Sequence, residues 1–292
     1  MAWFEYNKHS NQPAILTLDL IPASIRGMNN VTAIPAFKDN YIWLIATENN
    51  HVIIVDPGDE RPVLKYLQDN QLTPVAIVIT HQCYDHVDGI MAILQQFEIP
   101  VYGPATERIP GITQRVKQDD LITINDTYQL KVLDVPGHTA GHVAYYQPAL
   151  SGTPGGSLFC GDTLFGAGCG RLHTGLYDEM FHSLQKISSL PDETRIYCAH
   201  EYTQANLKFA HHLEPDNQDI RARIERTDAM RAQGEITIPL LLSDEKNTNP
   251  FLRCHIPTVA ATAQHYAAEN GLPSPTHPIS TFRTIRYWKN QF

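Results

Sequence analysis

The chain has 292 residues, of which 42% are hydrophobic and 18% are charged, and these fractions exclude an intrinsically disordered protein. A formal net charge of −9 excludes a broad basic surface for nucleic acid or anionic lipid. The length suits two unequal domains. No apolar run approaches the roughly 20 residues that span a bilayer. With the acidic net charge, we therefore expect neither a nucleic-acid nor a membrane partner.

Residues 1–27 are interpreted as an N-terminal extension, because they show no clear hydrophobic period and the first strand pattern begins after Met28. Met28 is then an alternative start of the chain. An ordered strand from Ile15 to Ile21, added at a sheet edge, is the competing interpretation. The first residues lack the cationic start and apolar segment of a secretory signal, and the five cysteines suggest reduced thiols, so we expect a cytoplasmic protein.

Apolar and β-branched runs separated by turn residues predict strands through the first two thirds of the chain. In chain order these runs are YIWLIA, HVIIVDPGD, PVAIVITH, IPVYGP, QLKVLDVPGH, HVAYY, SLFCGD and RIYCAH. Between several of them, apolar residues three and four positions apart predict helices, as in RPVLKYLQDN and DGIMAILQQF. We therefore expect an α/β layered domain over residues 28–202.

The pattern changes after His200, where polar sequence with helical spacing replaces the strand runs. The helical segments are TQANLKFAHHL, DIRARIERTDAMRAQ, TVAATAQHYAAEN and TFRTIRYWKNQF. Two Pro-containing segments, IPLLL and NTNPF, interrupt the helical pattern. We expect a smaller helical domain over residues 203–292.

One short loop after the strand PVAIVI combines four side chains of the types that bind transition metals: His81, Cys83, Asp85 and His86. Three further strand ends each present one His or Asp where the strand gives way to a loop: His138, Asp162 and His200. A loop at the C-terminal end of a strand can direct such side chains inward without burying an unpaired charge. Because the same placement recurs four times, we predict that these residues form one metal centre.

The motifs T-H-x-x-x-D-H, P-G-H-T-x-G-H, G-D-T-L-F and H-E-Y-T resemble the ordered motifs of the metallo-β-lactamase superfamily. More narrowly, IPAFKDNYIWLI, VDPGD, LFGAGCGRL and CAHEYTQANLKFA resemble the hydroxyacylglutathione hydrolase (glyoxalase II) family, and the resemblance runs from about Met28 to Phe292. It implies an α/β fold, an αββα sandwich with a C-terminal helical domain. It also implies hydrolysis of S-(2-hydroxyacyl)glutathione, chiefly S-D-lactoylglutathione, to glutathione and a 2-hydroxy acid, a step of methylglyoxal detoxification.

The same resemblance implies two divalent metal ions, taken to be zinc, and it distributes the predicted ligands between them. We expect a monomer. His81, Cys83 and His138 would hold the first ion, and Asp85, His86 and His200 the second. Asp162 would bridge the ions, and Asp85 and Asp162 would be catalytic. Contacts with glutathione are implied for Arg171, His173, Tyr202, Asn206, Arg286 and Lys289.

Cys83 departs from the family pattern H-x-H-x-D-H, which has His at this position. Three hypotheses follow: the thiolate binds zinc, the shorter side chain leaves the first site weak, or the protein binds glutathione without catalysis. A single-iron persulfide dioxygenase of the same superfamily is a further alternative. Such enzymes generally lack the long helical C-terminal domain, which favours the hydrolase.

Overall fold

The computed structural model of the protein describes residues 31–149, 155–172 and 175–292. The expectations for residues 1–27 and the predicted glutathione contact His173 lie outside the described residues. The strands are β1 Val31–Ala36, β2 Asn40–Ala46, β3 His51–Val55, β4 Thr73–Val78, β5 Val101–Pro104, β6 Gln114–Val116, β7 Leu121–Ile124, β8 Tyr128–Asp134, β9 Val143–Gln147, β10 Ser157–Gly161, β11 Leu164–Phe165, β12 Gly168–Cys169, β13 Arg195–Cys198 and β14 Leu240–Leu241. The helices are α1 Glu60–Asp69, α2 Tyr84–Val87, α3 Ile90–Leu94, α4 Tyr177–Ser188, α5 Thr203–Leu213, α6 Gln218–Ala232, α7 Leu242–Thr248, α8 Pro257–Glu269 and α9 Pro278–Gln291.

The first sheet has six strands in the order β1-β2-β3-β4-β5-β6, antiparallel at β1 to β3 and parallel from β3 onward. The position of β2 in this sheet explains its run of apolar residues. Tyr41, Trp43 and Ile45 belong to the core that faces the second sheet, whereas Ile42 and Leu44 pack with residues of α1 and α3. Successive side chains point to opposite faces, so the stretch from Tyr41 to Ile45, which is covered on both sides, is apolar or aromatic at each position.

The second sheet also has six strands, in the order β14-β13-β10-β9-β8-β7. Val132 and Phe159 from this sheet share one core with Val55 and Val78 from the first, so the two sheets form a sandwich. Helix α4 adds Met180 to that core. The predicted αββα sandwich with a C-terminal helical domain is therefore confirmed.

Each of the strand runs and helical segments predicted from the sequence contains an element of the predicted type. The segment IPLLL, which we expected only to interrupt the helices, supplies strand β14 instead. Leu240 and Leu241 pair with Ile196 and Arg195 at the edge of the second sheet. The helical part of the chain thus extends the sandwich. None of the helices in the described ranges is long and apolar enough to cross a membrane.

Candidate metal centre

The predicted ligands meet at the edge where strands of both sheets end. His81 follows β4 and His138 follows β8, while Asp162 and His200 follow the neighbouring parallel strands β10 and β13. The short helix α2 contributes Asp85 and His86, and Cys83 directly precedes this helix. The donor atoms of the predicted ligands form two clusters, each within 4.8 Å: His81, Cys83 and His138 in one, and Asp85, His86 and His200 in the other. His81 and His86 also form a third such group with Asp56.

Asp162 lies between these two clusters and contacts both. Its Oδ2 is 3.4 Å from Nε2 of His138, which belongs to the first cluster. Its Oδ1 is 3.4 Å from Nε2 of His86 and 3.4 Å from Nε2 of His200, both in the second cluster. The structure therefore brings all seven predicted ligands together, with one carboxylate spanning the two groups.

A second layer of polar groups fixes the orientation of the four imidazole rings. Each Nδ1 atom lies within hydrogen-bond distance of an acceptor: His81 of Thr80 Oγ1 at 3.0 Å, His86 of Asp56 Oδ2 at 3.0 Å, His138 of the Arg171 carbonyl at 2.8 Å, and His200 of Asp39 Oδ1 at 2.8 Å. The Thr80 hydroxyl itself donates to Asp56, so its oxygen accepts from His81. With the proton held on Nδ1, each Nε2 presents a lone pair to the cluster.

The spacing of these donor atoms fits metal ligation. In a tetrahedral site with metal–ligand distances of 2.0–2.1 Å, neighbouring donors stand about 3.4 Å apart. The contacts of Asp162 have this length, as does the 3.4 Å separation of Asp85 Oδ2 and His200 Nε2. His81 Nε2, His86 Nε2 and Asp162 Oδ1 are buried without a hydrogen-bond partner among the described residues. Lone pairs that face one another in a buried site need a cation between them, and these residues form a divalent-metal site.

The charge balance of the site also favours a cation. Burial opposes protonation of His200, but the carboxylates of Asp162 and Asp85, each 3.4 Å from its Nε2, outweigh burial and raise the pKa to about 11. Burial, with Asp162 and Asp85 adding to it, raises the pKa of the Cys83 thiol to about 12. The raised pKa of His200 reflects the surrounding negative charge, whereas burial is the main cause of the shift at Cys83. A bound metal ion supplies the compensating positive charge and makes a neighbouring thiol more acidic.

Several supporting residues were not assigned a role from the sequence. Asp56 follows β3 in the segment VDPGD, and Asn40 begins β2 and donates from Nδ2 to Asp85 Oδ2 at 2.9 Å. A carboxylate at one more strand end was a signal that could have identified Asp56. Asn40 and Asp39 gave no such signal, because they act only through ligands that are distant in sequence.

His142 also belongs to this supporting layer. It is fully buried, its Nε2 accepts the backbone N–H of Asp162 at 3.1 Å, and its ring stacks on His81 with centroids 4.5 Å apart. His142 likewise received no role from the sequence. In the structure it is packed, and it holds the backbone of the residue that spans the two clusters.

Three of the predicted glutathione contacts lie beside the metal site. Tyr202 stacks on His200 with ring centroids 4.8 Å apart and planes inclined by 3°. Arg171 is exposed, and its carbonyl oxygen holds His138. Asn206 is buried and donates to the carbonyl oxygen of Gly166 at 3.1 Å, so its amide is already engaged within the protein.

The other two predicted contacts lie on the C-terminal helix α9. Arg286 is buried, and its terminal nitrogens donate to the Cys169 carbonyl and to Asn290 Oδ1, each at 3.0 Å. Lys289 is half-buried, with its Nζ 5.3 Å from the centroid of Phe209. No carboxylate of the described residues forms an ion pair with either cation, although the protein is acidic overall.

Comparison with known proteins gives two family matches that follow each other along the chain. The profile of the metallo-beta-lactamase superfamily matches residues 37–200, and the profile described as hydroxyacylglutathione hydrolase C-terminus matches residues 201–292. The chain is 46% identical over 266 residues to a hydroxyacylglutathione hydrolase of Nitrosomonas europaea, covering 91% of this chain and 97% of the relative. A hydroxyacylglutathione hydrolase of Photobacterium profundum is 47% identical over 266 residues, covering 91% of this chain and 100% of the relative.

Two solved structures have a similar fold at lower sequence identity to this chain. ETHE1 from Myxococcus xanthus superposes with a TM-score of 0.58 at 21% identity, covering 88% of this chain and 97% of that one. The B3 metallo-beta-lactamase BLEG-1 superposes with a TM-score of 0.55 at 24% identity, covering 76% of this chain and 99% of that one. At these identities the similarity establishes the fold alone.

Proposed function

Because the chain belongs to the hydroxyacylglutathione hydrolase family of the metallo-β-lactamase superfamily, we propose that it hydrolyses S-(2-hydroxyacyl)glutathione, chiefly S-D-lactoylglutathione, to glutathione and a 2-hydroxy acid. The observation that carries this proposal is the position of Asp162, whose two oxygens each lie 3.4 Å from imidazole nitrogens of a different donor cluster. A carboxylate placed in this way suits a bridge between two metal ions.

The centre would hold two zinc ions with the ligands divided as the two clusters suggest. The first position would use His81, Cys83 and His138, the second would use Asp85, His86 and His200, and Asp162 would serve both. Cations in these positions would lower the pKa of a water molecule, polarise the thioester carbonyl and stabilise the departing thiolate.

The chain's own residues would then keep this arrangement rigid during the reaction. Asp85 and Asp162 are the proposed catalytic carboxylates, and Asn40 holds Asp85 in one orientation through its amide. His142 fixes the backbone of Asp162, and Asp39 holds His200. Fixed ligands keep the reacting groups in a constant geometry, and loss of such supporting contacts typically lowers metal affinity or activity about 10- to 100-fold.

Substrate binding would divide between the two parts of the chain. We propose that residues 28–202 form the catalytic domain and residues 203–292 the domain that binds the substrate, following an N-terminal extension over residues 1–27. The cations of Arg286 and Lys289, with exposed Arg171, would bind the carboxylates of glutathione, and Tyr202 and Asn206 would line the same side. The substrate role predicted for His173 remains part of this proposal, and we propose that the protein is a monomer.

The test is a metal analysis combined with a thioesterase assay on the same purified protein. We expect close to two metal ions per chain and hydrolysis of S-D-lactoylglutathione. A fully loaded protein without thioesterase activity would refute the assignment. The persulfide dioxygenase alternative predicts a single iron and oxygen consumption. The non-catalytic alternative predicts no metal. The match of residues 201–292 to the hydrolase family favours the hydrolase over both alternatives.

A further inference from the structure

The two halves of the metal centre differ in the chemistry of their donor atoms. The second cluster offers only imidazole nitrogen and carboxylate oxygen, from Asp85, His86 and His200. The first cluster replaces one such donor with the sulfur of Cys83. Nitrogen and oxygen ligands accept a wide range of divalent ions, whereas thiolate sulfur prefers soft and borderline ions such as Zn²⁺ over hard ones such as Mn²⁺.

The position of the Cys83 sulfur is suitable for ligation. Its Sγ lies 3.6 Å from Nε2 of His138. For a tetrahedral site with a metal–sulfur distance of 2.3 Å and a metal–nitrogen distance of 2.0–2.1 Å, the expected separation of these donors is about 3.6 Å. The longer metal–sulfur bond offsets part of the difference in length between a thiol and an imidazole side chain.

Two further observations support a ligand at this position. His81 belongs to the same cluster, is completely buried, and has an Nε2 without a hydrogen-bond partner among residues 31–149, 155–172 and 175–292. The backbone at Cys83 is also fixed, because its carbonyl oxygen accepts the N–H of His86 at 3.0 Å. The sulfur is therefore held near a buried nitrogen that has no hydrogen-bond partner among the described residues.

We propose that the first metal position selects Zn²⁺ or another thiophilic divalent ion through Cys83, while the second position binds zinc, iron or manganese with less discrimination. This inference rests on the proposed dinuclear site and adds a metal preference that differs between its two halves. When the ion binds, the thiol proton passes to solvent and the thiolate forms a bond to the metal.

The first test uses Co²⁺ as a spectroscopic probe on the metal-free full-length protein. Ligation by Cys83 predicts a thiolate-to-cobalt charge-transfer band in the near ultraviolet when Co²⁺ is added. The band should disappear in Cys83→Ala and persist in Cys254→Ala, a matched control that removes a buried cysteine of the helical part of the chain. Two bound Co²⁺ ions in the wild-type protein without this band would overturn the proposal.

The second test measures metal selectivity. Metal-free wild type and Cys83→His are dialysed against equimolar Zn²⁺ and Mn²⁺, and the bound metals are measured by mass spectrometry. We expect two metals per chain in both proteins and a bound Zn:Mn ratio at least about tenfold higher in the wild type. Equal ratios, or one metal in the wild type and two in the variant, would contradict ligation by Cys83. Neither test depends on activity, so a negative thioesterase assay would count against the proposed function alone.

Discussion

Glu245→Gln should destabilise the protein and weaken substrate binding, because this carboxylate joins the helical part of the chain to a hairpin beside the metal site. The hairpin consists of β11, β12 and the two residues between them. Glu245 is fully buried and pairs with Arg223, which is 4% exposed. Its Oε2 accepts the backbone N–H of Ala167, in the hairpin, and the amide of Asn249, each at 2.9 Å.

The magnitude follows from the burial of the ion pair. Removing one partner of a buried pair leaves the other charge uncompensated, which costs about 3–5 kcal/mol. Glutamine has one acceptor oxygen and one donor amide, so it cannot accept from both Arg223 and Ala167. For a chain of this size, the loss corresponds to a decrease in Tm of roughly 5–8 °C.

The kinetic effect should follow from the hairpin. Its residue Cys169 provides the carbonyl oxygen that accepts from Arg286, and its residue Phe165 packs edge-on against Tyr202 with centroids 5.1 Å apart. Displacing the hairpin should therefore raise KM for S-D-lactoylglutathione several-fold, about 1 kcal/mol of binding free energy, and lower kcat less.

Glu214→Gln is the matched control, measured by thermal unfolding and steady-state kinetics in parallel with Glu245→Gln. Glu214 is also buried and forms two 2.9 Å hydrogen bonds with an arginine, Arg253, and it contacts Thr258 instead of the hairpin. Both variants should lose stability, and only Glu245→Gln should raise KM. An unchanged Tm for Glu245→Gln, or the same KM in both variants, would show that the hairpin is not held in this way.

Asp162→Ala should lower the metal content of both positions and abolish thioesterase activity, since its two oxygens contact both clusters; normal content by mass spectrometry would show that the ligand assignment is wrong. Lys289→Gln should raise KM with little change in kcat, because a carboxylate contact stabilises ground and transition states alike, and an unchanged KM would place the glutathione site elsewhere. Arg286→Ala should raise KM and also lower Tm, because its guanidinium supports the Cys169 carbonyl. Cys83→His should raise kcat with two metals retained, since a thiolate makes the ion a poorer Lewis acid; an equal or lower kcat would contradict this reasoning.

The sequence predicted the layers of the fold, and it placed the seven proposed ligands at strand ends, because both follow from local rules. An apolar run bounded by turn residues identifies a strand, and a ligand-type residue directly after it marks the edge where strands end. Asp162 and His200 needed only this information, since parallel neighbours such as β10 and β13 end at the same edge. The family resemblance then divided the ligands between two positions.

The supporting contacts could not be predicted in the same way, because they join residues that are far apart in sequence. Glu245 accepts from Ala167, 78 residues away, and Asn40 donates to Asp85, 45 residues away. Neither residue type indicates its partner, and a buried glutamate is indistinguishable in sequence from one on a solvated helix face. Only the tertiary structure shows that these polar groups are buried and paired.

The pair Arg286 and Lys289 shows how the structure changes the meaning of a sequence pattern. Two cations three positions apart on a helix are ordinarily solvated, and spacing alone favours that interpretation. In the structure, burial and the nearby Arg286 lower the pKa of Lys289, while both side chains lie against aromatic rings rather than carboxylates. Holding a buried and a half-buried cation together is unfavourable unless an anion joins them, which supports the proposal that this surface binds the carboxylates of glutathione.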